Sequence, residues 1–184
     1  MEKYTVVIYP SGPVISLIKS MKQALAKEVG WFHSKNSVGH ITICLFTATE
    51  ETIKSVKEIL RKICSDINPV LVTLNDFGAY PNGAFYIAPD AISKKRLIPI
   101  MKQVNESLNF IPDLQINENP HLTIARRLPP RKLERAKVLF KIIDINFSCD
   151  NIVLRKFDEN SKQYVVTETF TFGGKSISDD KEHA

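Results

Sequence analysis

The sequence predicts an α+β fold made of two similar halves, and three features of the chain support this prediction. Each half shows the same order of elements: a helix, a strand, a second helix and two further strands. The residues His-Ile-Thr-Ile at 40–43 recur as His-Leu-Thr-Ile at 121–124, on the strand that follows the first helix of each half. No linker rich in Pro, Gly or Ser separates the halves. We therefore expect a single bilobal domain at residues 1–172, with two interleaved lobes related by a pseudo-twofold axis.

Local signals predict where several elements begin and end. Pro13 suits the first turn of a helix and Gly30 suits its C-terminal end. The side-chain oxygen of Thr49 can cap the second helix. The polar residues 173–184 are expected to form a frayed tail. In chain order, the predicted elements are a strand at 4–9, a helix at 14–29, a strand at 40–46, a helix at 49–64, strands at 69–77 and 83–88, a helix at 92–108, a strand at 121–125, a helix at 131–142, and strands at 145–157 and 163–172.

The repeated motif places its polar side chains together. Side chains two positions apart on a strand point to the same face, so His40, Thr42 and Cys44 are expected on one face and the apolar residues 41, 43 and 45 on the other. His121 and Thr123 project together in the same way. If a pseudo-twofold axis relates the halves, two imidazoles and two hydroxyls meet across a groove.

Two histidines and two hydroxyls around one groove are suited to acid–base chemistry on a phosphate. Neutral imidazole accepts a proton and imidazolium donates one, and both forms are accessible near pH 7. One of His40 and His121 would take a proton from the attacking water or alcohol, while the other protonates the departing oxygen. Thr42 and Thr123 would donate hydrogen bonds to the phosphate oxygens. This chemistry needs no metal and no other cofactor, and we expect none.

Two arginines follow the second motif. Alternation along the strand places Arg127 on the face of His121, Thr123 and Ala125, and Arg126 on the opposite face. A twist or a bulge at the end of the strand would change this arrangement. A guanidinium near the histidines would bind phosphate through two hydrogen bonds, so we expect one of the two arginines at the site.

The motifs resemble the two signatures of the two-histidine (2H) phosphoesterases, especially the branch similar to 2′-5′ RNA ligases. Residues 120–126, Pro-His-Leu-Thr-Ile-Ala-Arg, are similar to the second signature, and residues 39–43, Gly-His-Ile-Thr-Ile, resemble the first. Residues 77–81 and 84–87 resemble the aromatic–proline loop of this family and the strand that follows it. The resemblance extends over most of the chain, from about residue 4 to residue 172.

The resemblance implies a bilobal α+β fold with an antiparallel sheet and helices in each lobe, and a central cleft between the two His-x-Thr strands. It implies metal-independent cyclic phosphodiesterase or RNA end-processing activity. It also implies that His121 is the base and His40 the acid in hydrolysis, with the roles exchanged in the reverse reaction. The arginine that follows the family's second motif corresponds to Arg126, whereas alternation favours Arg127. We prefer Arg126, because the ends of strands often twist.

Three other side chains are weaker candidates. Tyr80 could stack on a nucleobase at the edge of the cleft, as aromatic side chains do in RNA-binding proteins, or it could be an ordinary hairpin aromatic. Cys44 lies four positions beyond His40 on the same strand, roughly 13 Å away. This distance disfavours a Cys–His nucleophile pair. His33 is expected to be a surface or packing residue.

Composition narrows the class of protein. No apolar run approaches the length of a membrane-spanning helix, and residues 1–9 lack the pattern of a signal peptide. The three cysteines are odd in number and widely spaced, which indicates reduced thiols in a cytoplasmic protein. The net charge of +5 suits an anionic partner but does not establish one. We expect a cytoplasmic monomer that does not bind membranes.

Together these features predict a metal-independent phosphoesterase that acts on 2′,3′-cyclic phosphates or 2′-5′ linkages, with RNA ends or cyclic nucleotides as substrates. Two alternatives remain open. One is a non-catalytic RNA- or nucleotide-binding module built on the same groove. The other is a cyclic phosphodiesterase for a small metabolite, such as a cyclic phosphate of ADP-ribose.

Overall fold

A computed structural model describes residues 1–173 of the 184-residue chain, so most of the predicted tail lies outside the described residues. The described part contains four helices and nine strands. The helices are α1 (Gly12–Val29), α2 (Glu50–Ser65), α3 (Ala91–Ser107) and α4 (Pro130–Leu139). The strands are β1 (Glu2–Ile8), β2 (Ile41–Ala48), β3 (Val70–Ala79), β4 (Phe85–Pro89), β5 (Gln115–Ile116), β6 (Leu122–Ala125), β7 (Ile145–Cys149), β8 (Asn151–Asp158) and β9 (Gln163–Thr171).

The strands form two antiparallel halves of one sheet. Their order is β7-β3-β4-β6-β2-β1-β8-β9, and β5 pairs with β2 outside this path. The halves meet where β2 pairs with β6, through the single pair Ile41 and Leu122. Each half of the sheet combines strands from the N-terminal and C-terminal parts of the sequence, because β1 pairs with β8 and β3 pairs with β7. The predicted α+β class, with an antiparallel arrangement in each half, is confirmed.

The helices cover the apolar face of the sheet. α1 packs against β6 and α4, α2 against β9 and β2, and α3 against β3 and β2. The apolar residues at the centres of the two motifs, Ile41 and Leu122, are fully buried in the resulting core. Because side chains alternate along a strand, the motif histidines and threonines point to the opposite face. None of the helices described is long and apolar enough to cross a membrane.

The predicted ends of α1 and the predicted start of α2 agree closely with the structure. Pro13 lies in the first turn of α1, and the N–H of Gly30 closes the helix by donating to the Ala26 carbonyl at 2.9 Å, with φ of 75° at the glycine. The side-chain oxygen of Thr49 accepts a hydrogen bond from the Thr52 N–H at 3.2 Å and caps α2. These local signals were sufficient because each depends on backbone geometry within one turn.

Three details of the predicted elements are wrong. α4 ends at Leu139 instead of residue 142, because Phe140 adopts an extended backbone and stacks on Phe77 and Phe85, with ring centroids 5.9 and 6.1 Å away. The strand predicted at 145–157 is divided at Asp150 into β7 and β8, which pair in different halves of the sheet. The short strand β5 was not predicted.

Candidate functional site

The two motifs meet at their centres. Each histidine is the residue immediately before its strand, and the apolar residue that follows it forms the pair between β2 and β6. Continuing this antiparallel register by one residue sets His40 opposite Thr123 and Thr42 opposite His121. A local twofold axis therefore passes between the strands and exchanges the motifs. In such a register, the two histidines are diagonal neighbours, about 7–8 Å apart.

A bulge in β2 changes which residues face the cleft. Val6 of β1 pairs with Cys44, but Val7 pairs with Thr42, so Ile43 is an extra residue in β2. Ile43 and Cys44 are consequently both fully buried. The prediction that Cys44 shares the face of the motif histidine and threonine is wrong for this reason. Burial raises the pKa of the Cys44 thiol to about 12, which makes it a poor nucleophile.

A second bulge occupies the matching position of β6. Tyr86 of β4 pairs with Thr123, but Phe85 pairs with Ala125, so Ile124 is the extra residue. Ile124 and Ala125 are both fully buried, as are the corresponding residues of β2. The local twofold symmetry therefore includes the irregularities of the two strands as well as their sequence motif.

The second bulge reverses the alternation expected for the arginines. Arg127 does not continue the face of His121, because Ala125 between them is buried in the core. The N–H of Arg126 donates to the His33 carbonyl at 3.1 Å, and the Arg126 side chain is exposed near the cleft. Arg127 is also exposed and adopts a left-handed backbone with φ of 54°. The positive charge of Arg126 contributes to the field at the first motif, as the pKa of its histidine indicates.

Both histidines are held in the same tautomer. The Nδ1–H of His40 donates to the Val38 carbonyl at 2.6 Å, and the Nδ1–H of His121 donates to the Asn119 carbonyl at 2.7 Å. A carbonyl oxygen can only accept a hydrogen bond, so Nδ1 must carry the proton in each ring. Each neutral ring therefore keeps its lone pair on Nε2, the nitrogen that is available for proton transfer.

The electrostatic surroundings of the two histidines differ. Burial lowers the pKa of His40 to about 3, and the nearby cations Arg155, Lys22 and Arg126 act in the same direction. Burial also lowers the pKa of His121, against the effect of its backbone hydrogen bond. Both shifts favour the neutral form of the imidazole. A bound anion would raise both pKa values.

A buried lysine supports the His40 side of the cleft. Lys22 is 2% exposed, and its ammonium donates to the Ser34 carbonyl, the Ser37 carbonyl and the Ser37 hydroxyl at 2.9, 2.9 and 3.0 Å. These bonds fix the loop that leads to Val38, whose carbonyl orients His40. Lys22 was not predicted from the sequence, although its position in the apolar stripe of α1 was an available signal.

Aromatic residues surround the other histidine. The Tyr80 and Tyr86 rings lie 5.4 and 5.2 Å from the His121 ring, measured between centroids. The Asn119 side chain donates to the Tyr80 hydroxyl at 2.6 Å, while the Asn119 carbonyl accepts from His121. The Tyr86 ring lies over Gly78, where a Cβ would overlap it. Tyr80, predicted as a stacking residue, is thus directly beside the second motif.

The structure adds one residue that no sequence signal indicated. Arg155 of β8 is buried, and its Nη1 lies 3.4 Å from the Nδ1 of His40. The groups at the cleft are therefore imidazoles, hydroxyls and guanidinium groups, which suit proton transfer and the binding of phosphate oxygens. In the part of the chain that the structure describes, no three His, Cys, Asp or Glu side chains are grouped to hold a metal ion.

Comparison with known sequences matches residues 13–161 to the 2′-5′ RNA ligase superfamily. A protein of Geobacillus kaustophilus (strain HTA426), GK0864, provisionally named as a phosphoesterase, is 27% identical over 180 residues. That match covers 94% of this chain and 98% of GK0864.

The fold is similar to those of solved structures. LigT of E. coli in its apo form superposes with a TM-score of 0.70 at 13% identity, covering 93% of this chain and 97% of LigT. TT0787 of Thermus thermophilus gives a TM-score of 0.68 at 15% identity, covering 95% of this chain and all of TT0787. LigT has also been solved with 3′-AMP and with NADP+. At these identities the likeness shows a shared fold.

Proposed function

The chain belongs to the 2′-5′ RNA ligase superfamily of two-histidine phosphoesterases, and from this membership we propose that it acts without a metal ion on phosphodiesters of the ribose 2′-oxygen. Its substrates would be 2′,3′-cyclic phosphates or 2′-5′ linkages of RNA or nucleotides. The observation that carries the proposal is the antiparallel meeting of the two motifs at Ile41 and Leu122, with the polar residues of both motifs on one face.

The proposed hydrolysis uses one histidine on each side of the phosphate. One Nε2 removes a proton from the attacking water as the water oxygen bonds to phosphorus. The other ring, protonated at Nε2, gives its proton to the departing ribose oxygen as the bond between phosphorus and that oxygen breaks. A cyclic phosphate would open to a phosphomonoester on one of the two hydroxyls. The fixed Nδ1–H bonds support this proposal because they leave both Nε2 atoms free.

The phosphate ligands of this proposal are the hydroxyls of Thr42 and Thr123 and the guanidinium of Arg126. The Thr42 carbonyl already accepts a hydrogen bond from Asn117 at 2.8 Å, so the threonine hydroxyl is not needed to hold the strand. We give Arg126 preference over Arg127, because the bulge in β6 and the field at the first motif both favour it.

Two arguments disagree about which histidine is the base and which is the acid. Family resemblance implies that His121 is the base and His40 the acid. The cations around His40 favour its neutral form, and hence the opposite assignment. A p-nitrophenyl phosphodiester decides between them, because its leaving group needs no acid. Activity on this ester should survive in the alanine variant that lacks the acid and disappear in the variant that lacks the base.

The substrate class is tested with the wild-type protein in EDTA. We expect turnover of a 2′,3′-cyclic mononucleotide or a 2′-5′ dinucleotide, and none of the matched 3′-5′ dinucleotide. The solved nucleotide complexes of LigT support substrates of this size. Nucleotide binding without turnover would instead identify a binding module. Fast turnover of a cyclic phosphate of ADP-ribose, with poor binding of RNA, would identify the metabolite enzyme.

A further inference from the structure

Arg155 is a buried cation without an acidic partner. Its side chain is 4% exposed, and it follows three apolar residues in β8. Within residues 1–173, none of the ion pairs between a basic and an acidic side chain includes Arg155. Its Nε has no hydrogen-bond partner in the same range. Because burial of an unpaired charge is costly, such a guanidinium is suited to bind an anion.

Strand register places Arg155 on the cleft face of the sheet. Val7 of β1 pairs with Thr42, and Val153 of β8 pairs with Val7, so these residues share a face. Arg155 is two residues beyond Val153 and points to the same side. Its Nη1 is 3.4 Å from the Nδ1 of His40, which already donates its proton elsewhere. Two donors therefore approach each other, and an anion beside them would be favourably placed.

Two tyrosines hold the guanidinium without neutralising it. The Arg155 guanidinium lies 5.6 Å from the centroid of the Tyr9 ring and 5.4 Å from that of Tyr164. Its Nη1 also reaches the Tyr9 hydroxyl, at a long 3.5 Å. Aromatic faces stabilise a cation through their quadrupoles but carry no net charge. The full positive charge of Arg155 consequently remains available to a ligand.

The local twofold axis shows that the two lobes differ at this position. The axis relates β1 to β4 and β8 to β3, because Val7 and Tyr86 occupy the same place beside the motif threonines. Val153 pairs with Val7 and Gly78 pairs with Tyr86, so Val153 and Gly78 occupy equivalent positions. Arg155 and Tyr80 each lie two residues further along, so Arg155 of one lobe corresponds to Tyr80 of the other. Each lies beside the histidine of its own lobe, with the Tyr80 ring 5.4 Å from that of His121. One half of the cleft is thus cationic and the other aromatic.

We propose that Arg155 binds the phosphate group of the substrate beside His40 and thereby fixes the direction in which the substrate lies in the cleft. This inference rests on the proposed function only in taking the substrate to be a phosphate ester. The phosphate lies between the two motifs, and the guanidinium of Arg155 approaches it from the side of His40. The nucleoside then extends from the phosphate toward Tyr80.

The first test observes Arg155 in the wild-type protein. The Nε–H resonance of Arg155, assigned by its loss in Arg155→Lys, is followed by NMR during a titration with inorganic phosphate. We expect a saturable shift, because Nε has no partner before the anion binds. A resonance that stays in place while phosphate binds elsewhere would overturn the proposal. The titration itself uses the wild-type protein, and the conservative variant Arg155→Lys serves only to assign the resonance.

The second test compares phosphate affinity among three variants by calorimetry. Loss of a charged hydrogen bond should weaken binding of inorganic phosphate about tenfold or more in Arg155→Gln, with partial recovery in Arg155→Lys. The exposed arginine variant Arg61→Gln is the matched control and should bind as the wild type does. Thermal unfolding without ligand should be little changed in Arg155→Gln, since the arginine has no acidic partner. Wild-type phosphate affinity in Arg155→Gln would contradict the proposal.

A third comparison tests the direction of binding. Tyr80→Leu should weaken binding of a nucleoside monophosphate but not of inorganic phosphate, whereas Arg155→Gln should weaken both. If both variants lost the same affinity for inorganic phosphate, the division of the cleft into a cationic half and an aromatic half would be contradicted. Because these measurements report binding, they are independent of turnover: a protein that binds phosphate through Arg155 but turns over no ester would refute the proposed function and leave this inference standing.

Discussion

His40 and His121 have the same motif and the same tautomer but different electrostatic surroundings. Burial lowers the pKa of both rings, and at His40 the cations Arg155, Lys22 and Arg126 lower it further, whereas aromatic rings lie beside His121. Two chemically identical groups with different surroundings can take opposite roles in one proton transfer. The asymmetry of the site is therefore a property of individual side chains placed on a symmetric backbone.

Arg126 and Arg127 provide a matched pair of variants at this scale. Arg126→Gln should raise the pKa of His40, because a positive charge that disfavours imidazolium is removed. It should also raise KM about tenfold through loss of a phosphate contact. Arg127→Gln should change neither. Histidine NMR titration and steady-state kinetics measure the two quantities, and equal effects of both variants would refute the assignment of Arg126.

The residues of the motifs could be identified from the sequence more readily than the buried cations. His40, His121 and their threonines are recognisable because the pattern occurs twice. Lys22 is marked only by its position in the apolar stripe of α1, and Arg155 looks like an ordinary charged residue, since charged side chains are mostly exposed. Their importance depends on burial, which is a property of the folded chain.

At the scale of elements, the two bulges explain where simple alternation failed. In each motif strand the extra residue brings two consecutive side chains into the core, Ile43 with Cys44 and Ile124 with Ala125. A bulge depends on how a strand pairs with its neighbour, so the strand's own sequence does not reveal it. The ends of α1 and the start of α2 were predicted more accurately, because their capping signals are local.

Close packing of β3 against β4 provides a second prediction. Gly78→Ala should push the Tyr86 ring away from its position beside His121, because the added methyl group overlaps that ring. We expect turnover to fall about tenfold, with a loss of about 1–3 kcal/mol in the free energy of unfolding from overpacking. Gly12→Ala is the control, since nothing lies near its added methyl group.

A double-variant cycle separates this effect from a general loss of stability. In a Tyr86→Leu background the Gly78→Ala change should cost less than it does alone, because the clashing ring is absent. Additive losses of turnover in the cycle would show that Gly78 does not act through Tyr86. Kinetics and chemical denaturation of all four proteins supply the measurements.

At the scale of the whole molecule, the repeated motif predicted the two-lobed α+β fold, but it did not predict which strands pair with each other in each lobe. The chain changes lobes at Asp150, where β7, paired with β3, gives way to β8, paired with β1. A continuous strand predicted at 145–157 could not pair in both places. Long-range pairing of this kind is not encoded by the local pattern of apolar residues.

The stability of the whole protein should depend on pH through His40. The pKa of His40 is about 3 in the folded protein and 6.5 as its ordinary value, so below pH 6.5 the unfolded chain binds a proton that the folded protein does not. The free energy of unfolding should therefore fall as pH decreases from 6.5 to 5, approaching about 1.4 kcal/mol per pH unit from His40. Chemical denaturation at several pH values should show a smaller slope for His40→Asn, and an unchanged slope would contradict the lowered pKa of His40.

If the two histidines act as one metal-free acid–base pair, turnover of a 2′,3′-cyclic mononucleotide should persist in EDTA and should need both rings. The wild type is compared with His40→Ala, His121→Ala and the double variant. We predict that the wild type remains active and that each single variant loses about 10²- to 10⁴-fold, with the double variant little worse than the poorer single one. Full activity in either single variant, or wild-type activity that requires an added metal, would contradict the account.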